Sequence, residues 1–195
     1  MAMTNKTARL WVFAATLGIS NTMSMAFADT LIETEFVSQA KSKSMALGGE
    51  LKQALQAAIK QGGLTEGITV CKDLAPQLAA KYSVDGWQVG RTSLKVRNPE
   101  NAPDAWETDA LKAMEKALDS GMPPAQLVHA QTGSALAEWR YMQPIVTQAV
   151  CLNCHGASLT PAVKQALQAQ YPQDQATGFD AGQLRGAFTV RFERN

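Results

Sequence analysis

The stretch "LRGAFTVRFE", Leu184–Glu193, alternates in character. Leu184, Phe188, Val190 and Phe192 fall on one side, with Arg185, Thr189, Arg191 and Glu193 on the other. A period of two marks a half-buried strand, because successive Cβ atoms point to opposite faces of a sheet. A strand in this place argues against a purely helical chain. Working outward, "QLVHAQTGSALAEWRYMQ" (residues 126–143) reads as a hairpin turning near Thr132-Gly133, with Ala135, Ala137, Trp139 and Tyr141 on one face. "WQVGRTSL" (residues 87–94) supplies a third strand, followed by the Pro- and Asn-rich loop "KVRNPENAP".

The rest is helical in pattern. After Thr30, with Glu33 in capping-box position, a long helix is expected to about Gln61, crossing Gly48-Gly49 and carrying the stripe Leu47, Leu51, Leu55, Ile59. Gly62-Gly63 ends it. A second helix over residues 65–81 puts Cys71, Leu74, Ala75 and Leu78 on one face, and Pro76 inside it is expected to kink the axis. Asp104 with Glu107 caps a third helix bearing Leu111, Met114 and Leu118, which stops at Gly121. Pro144 suits the first turn of a helix ending at His155, and Thr160-Pro161 opens a last short one. Helices flanking a small antiparallel sheet, with a long N-terminal helix, make the expected class α+β.

The first 28 residues read as a leader: Lys6 and Arg9, the apolar run "LWVFAATLGI" and the small-residue site "AFA" give a secretory signal peptide cleaved before Asp29. The run is about half the ~20 apolar residues that a membrane span needs. The expected organisation is therefore a signal peptide over 1–28 and one domain over 29–195, with no membrane span after cleavage and a periplasmic location. Loss of Lys6 and Arg9 from the 18 basic residues leaves 16 against 17 acidic ones. That balance, with no basic cluster, gives no footprint for nucleic acid.

"CLNCHG", Cys151 to Gly156, carries the chemistry. Two cysteines, a two-residue gap and an abutting histidine are the attachment signature of a c-type haem. On one helical turn the sulfurs of Cys151 and Cys154 reach the two vinyl groups, and His155 serves as an axial ligand. A zinc site would need four ligands, drawn from Cys71, His155 and His129 as well. A redox dithiol would open a helix rather than close one. For the second axial position the candidates are His129, Met45, Met114, Met122, Met142 and Cys71. Read alone, Cys71 is a small apolar residue on a helix face.

The segments "VCKDLAP" (residues 70–76), "VGRTSLKVRNPENAPDAWE" (89–107), "CLNCHG" and "YPQDQATGFDAGQLRGAF" (171–188) together resemble the periplasmic PAS-like c-type haem domains. These occur alone and as input domains of membrane-bound signalling proteins. The resemblance spans residues 31–194. It implies a PAS-like antiparallel sheet flanked by helices, a single covalent haem c, and an axial pair that falls here on His155 and Cys71. A thiolate ligand stabilises the ferric state, whereas methionine raises the potential. Loss of that thiolate on reduction would open the iron to a small ligand such as CO or NO, and a shift of the helix bearing Cys71 and Pro76 would make a switch. Arg91, Arg97 and Asn98 are candidates for holding the propionates, the alternative being that they cap helix three and tie the loop to the sheet.

Three functions are thereby in view. The first is haem-based redox or small-ligand sensing, with a redox or signalling protein as partner, since no transmitter segment follows. The second is electron transfer, which a one-signed docking patch would favour and the near-zero charge does not. The third, a peroxidase-type enzyme, needs an acid–base group beside an open iron, and only His129 is spare. The expectation is a protein that is not an enzyme.

Overall fold

The computed structural model describes residues 20–194. The expected leader lies outside the described residues, apart from the helical backbone of residues 20–28. Helix α1 (Ser20–Tyr82) is already under way at Thr30, so that residue does not start it. Among the described residues, no helix is long and apolar enough to cross a membrane.

One residue breaks α1. Gly63 has φ 78° and ψ −169°, in a region that only glycine enters without steric cost. The chain reverses there, and the two arms lie side by side. Gly67 meets Leu55 and Ile59, while Glu50 accepts from Lys81 Nζ at 2.7 Å and Tyr82 OH at 2.6 Å. The expected two helices and their boundary at Gly62-Gly63 are therefore present. Pro76 does not provide the break: helical dihedrals continue through it. It sits on the exposed side of the arm, as does Lys72, whose carbonyl its missing N–H leaves over.

The sheet is antiparallel, in the order β1 (Trp87–Thr92), β4 (Leu184–Glu193), β3 (Glu138–Val146), β2 (His129–Gln131). The first arm of α1 covers one face, packing Phe36, Ala40 and Leu47 on Val89, Trp139, Tyr141 and Val190. Gly48 makes this contact possible, since a Cβ there would stand 2.6 Å from the Phe188 ring. Helix α2 (Ala105–Asp119) covers the other face with Ala110, Leu111 and Met114 against Met142, Leu184 and Ala187. Its Asp104–Glu107 capping box is formed as expected. These two carboxylates also meet the polar side of β4: Thr189 Oγ1 donates to Glu107 at 2.7 Å and Arg191 Nη2 to Asp104 at 2.8 Å. The strand is therefore covered on both sides, not half-exposed. Burial tends to raise the Asp104 carboxyl, but the Glu107 N–H and then Arg140 and Arg191 outweigh it and hold the group below its ordinary range.

Two expectations fail at the far end of the sheet. Pro144 lies in β3, opposite Ala187, and starts no helix. The pairing of β2 ends at Met142, so a residue without an N–H costs the ladder nothing on that side. Leu184 joins the α2 cluster instead of the Val190 face. The register slips there, because Ile145 pairs with Gly186 and Val146 with Leu184, leaving Arg185 as the extra residue of a β-bulge. In the hairpin, Trp139 and Tyr141 are buried in β3, while Ala135 and Ala137 belong to the connection.

Adjacent glycines give a differential test of the α1–sheet contact. Gly49→Ala, with open space around its Cβ, should stabilise the protein by up to ~1 kcal/mol through helix propensity. Gly48→Ala should destabilise it by ~1–3 kcal/mol through overpacking against Phe188. Urea unfolding of the pair decides, and equal midpoints would refute the contact.

Candidate functional site

The segment carrying the cysteine pair is compact. A 3-10 turn (Ala149–Cys151) runs directly into α3 (Leu152–His155), and Gly156 closes it, its N–H donating to Leu152 O at 3.0 Å. A Cβ at Gly156 would stand 2.7 Å from that same oxygen, so glycine is required by space. The cysteine pair lies within one helical turn, as its spacing predicts. The turn forms without the long preceding helix expected from Pro144.

A strap over residues 174–179 holds this turn from outside. Phe179 N–H donates to His155 O at 2.9 Å, and Gly178 N–H to Gly156 O at 3.2 Å. His155 Nδ1 lies 2.7 Å from Ala176 O. A carbonyl can only accept, so this contact puts the proton on Nδ1 and the lone pair on Nε2. Arg185 Nε, 3.1 Å from the same Nδ1, is a second donor and cannot bond to it in this tautomer. Burial, then Arg185, Arg97 and Arg91, push the imidazole pKa down to about 3, against the raising effect of Ala176 O. His155 is thus neutral at physiological pH, the state in which imidazole binds metals.

Arg97 ties turn and strap together. Its Nη2 donates to Cys154 O at 2.6 Å and to Ala176 O at 3.2 Å, and it pairs with Asp174 at 3.1 Å. Its Nε is buried with no hydrogen-bond partner. Asn98 accepts from Glu100 N at 3.1 Å and caps the short 3-10 turn Pro99–Asn101. Arg91 behaves differently: its guanidinium is desolvated, which lowers its pKa, and among the described residues it makes no hydrogen bond or ion pair.

Cys71 arrives from the second arm of α1. Ile68, one turn before it, packs with Val163 and Leu167 of α4 (Pro161–Gln170), and Cys154 and Tyr171 border the same cluster. Gln170 Nε2 donates to Thr69 at 2.9 Å and fixes the register. Burial pushes the Cys71 thiol up, while Arg91, Arg97 and Arg185 pull it down. Burial raises Cys154 too, Arg97 opposing and the Cys71 charge adding to the rise. Burial and the Cys71 charge push Tyr171 up to about 12.

The fold therefore brings Cys71, Cys154, His155, Arg91 and Arg97 into one electrostatic neighbourhood, with Cys151 on the same turn. Other candidates lie elsewhere. His129 is exposed on β2, its ring 5.3 Å from that of Trp106, at the opposite edge of the sheet from β1. Met114 of α2 and Met142 of β3 are buried in the cluster between helix and sheet, and Met45 and Met122 are exposed. Among the described residues no group of three or more His, Cys, Asp or Glu side chains converges to hold a bare metal ion. Sequence reasoning missed Arg185 as a site residue, and with it Asp174, Ala176 and Phe179. The available signal was Gly186 inside a strand pattern, which marks a bulge.

The sequence profile of the family described as Tll0287-like matches residues 19–192. The crystal structure of the cyanobacterial haem protein Tll0287 is similar to this chain, with 27% identity, a TM-score of 0.57, and coverage of 83% of this chain and 94% of that one. No curated protein matches the chain.

The Arg97 clamp predicts its own energetics. Its side chain and that of Asp174 are 11% and 9% exposed, so Arg97→Met should cost ~3–5 kcal/mol by leaving a buried carboxylate unpaired. Adding Asp174→Asn should recover part of the loss in chemical denaturation. A double variant less stable than the single one would refute the pairing.

Proposed function

The chain belongs to the Tll0287-like family, and on that premise we propose that it is a periplasmic protein with one covalently attached haem c that serves redox or small-ligand sensing. The observation that carries this reading is the state of His155: neutral, oriented by Ala176 O, and carrying its lone pair on Nε2. An imidazole held by a carbonyl on one nitrogen is prepared to bind metal through the other.

The residues present fit the group. Cys151 and Cys154 would hold the group through thioethers, and His155 and Cys71 would bind its iron. Arg91 has no acceptor and Arg97 Nε is a buried orphan, so the pocket has cationic donors for carboxylates such as propionates. Asn98, engaged as a cap, is left as a loop residue. The haem, when bound, supplies one-electron redox chemistry and a Lewis-acidic iron. The chain's residues supply the rest: burial raises the Cys71 thiol, Arg91, Arg97 and Arg185 offset part of that rise, and Phe179 closes the strap over His155. The arm bearing Cys71 turns at Gly63 and is tied at its far end to Glu50, so a change in what Cys71 is bound to would act on the span between. A protein partner would read that span.

The test is the ferric spectrum of the holoprotein beside Cys71→Ser. The proposal expects a protein mass increased by one haem, a thiolate signature lost in the variant, and CO binding by the reduced form. A holoprotein whose spectrum is unchanged by the substitution would remove Cys71 from the ligand set. Thiolate ligation without CO binding would favour an electron carrier.

A further inference from the structure

A metal-binding histidine commonly donates its outer N–H to a carboxylate or a backbone carbonyl, and a carboxylate makes the imidazole a stronger electron donor. His155 donates to a carbonyl, but cations and not a carboxylate stand around that bond. Its acceptor, Ala176 O, is shared with the Arg97 guanidinium, whose Nη2 lies 3.2 Å from it. Arg185 Nε lies 3.1 Å from Nδ1 itself. The charge of Arg97 is matched by Asp174. Among the described residues Arg185 makes no ion pair, Asp174 acting on it only from a distance: its Nη1 donates to Ser93 Oγ at 3.1 Å and Lys95 O at 3.3 Å, both neutral groups.

The fold is arranged to deliver this cation. Arg185 is the extra residue of the β4 bulge, and bulges re-aim side chains. The next residue, Gly186 (φ 155°), permits it, because a Cβ there would collide with Thr92 O. Ser93 Oγ also donates to Arg185 O at 2.7 Å, holding the bulge from β1. The ring of Phe179 lies 5.2 Å from the guanidinium and keeps it against His155.

Resting on the haem reading above, we propose that Arg185 is a positioning residue that sets the reduction potential, raising it against the lowering effect of the Cys71 thiolate. A haem held here would take one electron from an external donor, and the site as a whole would then carry one more negative charge. A fixed, poorly solvated cation beside the histidine favours that added charge, and it withdraws electron density from the Nδ1–H that would otherwise strengthen the imidazole as a donor. Two opposed influences on one iron keep the ferric and ferrous states close in energy, which a redox-responsive protein needs.

The experiment is a spectroelectrochemical titration of the holoprotein, with haem attachment verified by mass. Arg185→Gln should lower the midpoint so that the ferrous-to-ferric ratio at a fixed potential falls at least tenfold, ~59 mV for one electron. Ser93→Asp, which sets a carboxylate beside Nη1 and neutralises the same charge, should shift the midpoint in the same direction. Arg185→Lys, which keeps the charge, should shift it less than Arg185→Gln. A midpoint ratio within twofold of the parent in either neutralising variant, with axial spectra unchanged, overturns the role of Arg185 and leaves the haem reading standing. A parent protein without covalent haem would overturn the proposed function itself.

Discussion

The site depends on one backbone constraint, the positive φ of Gly63. Without that reversal the second arm of α1 would continue away from the sheet. With it, Ile68 reaches the α4 cluster and Cys71 arrives beside Cys154 and the three arginines. Only a residue without Cβ takes that conformation cheaply. The geometry of the whole pocket is therefore set by a position that takes no part in its chemistry.

Charge is the second organising element. Arg91, Arg97 and Arg185 bear on Cys71 and His155 together, and Asp174 balances one of the three. Such an excess of buried cation is costly unless anions share the space. A thiolate and carboxylate groups are the anions this neighbourhood would take. The neutral imidazole and the cationic shell are thus two aspects of one field.

Much of this was legible in the sequence because it is local. The capping box at Asp104–Glu107, the glycine pair before the second arm, the alternation of β4 and the stripe of Leu47 and Leu51 all follow from rules that act within a few residues. What escaped depends on distant partners. Pro144 reads as a helix start until the limited reach of β2 is known. Arg185 reads as the polar side of a strand until the slip at Ile145/Val146 turns it inward. Arg97 sits in a loop, and only the return of residues 174–176 shows it to be a clamp on the Cys154 turn. Local pattern placed the elements, and tertiary pairing decided which face of each one matters.

The staple of Glu50 to Lys81 and Tyr82 changes the mechanics of the arm that carries Cys71. Held at Gly63 and again at its far end, the arm is a beam supported at two points, and Cys71 lies within the span. A load applied within such a beam bends it instead of swinging it. The bending is concentrated where one backbone hydrogen bond is missing, at Pro76. Any bending of the arm is therefore met on the outer surface at Lys72, Asp73, Pro76 and Gln77, all exposed.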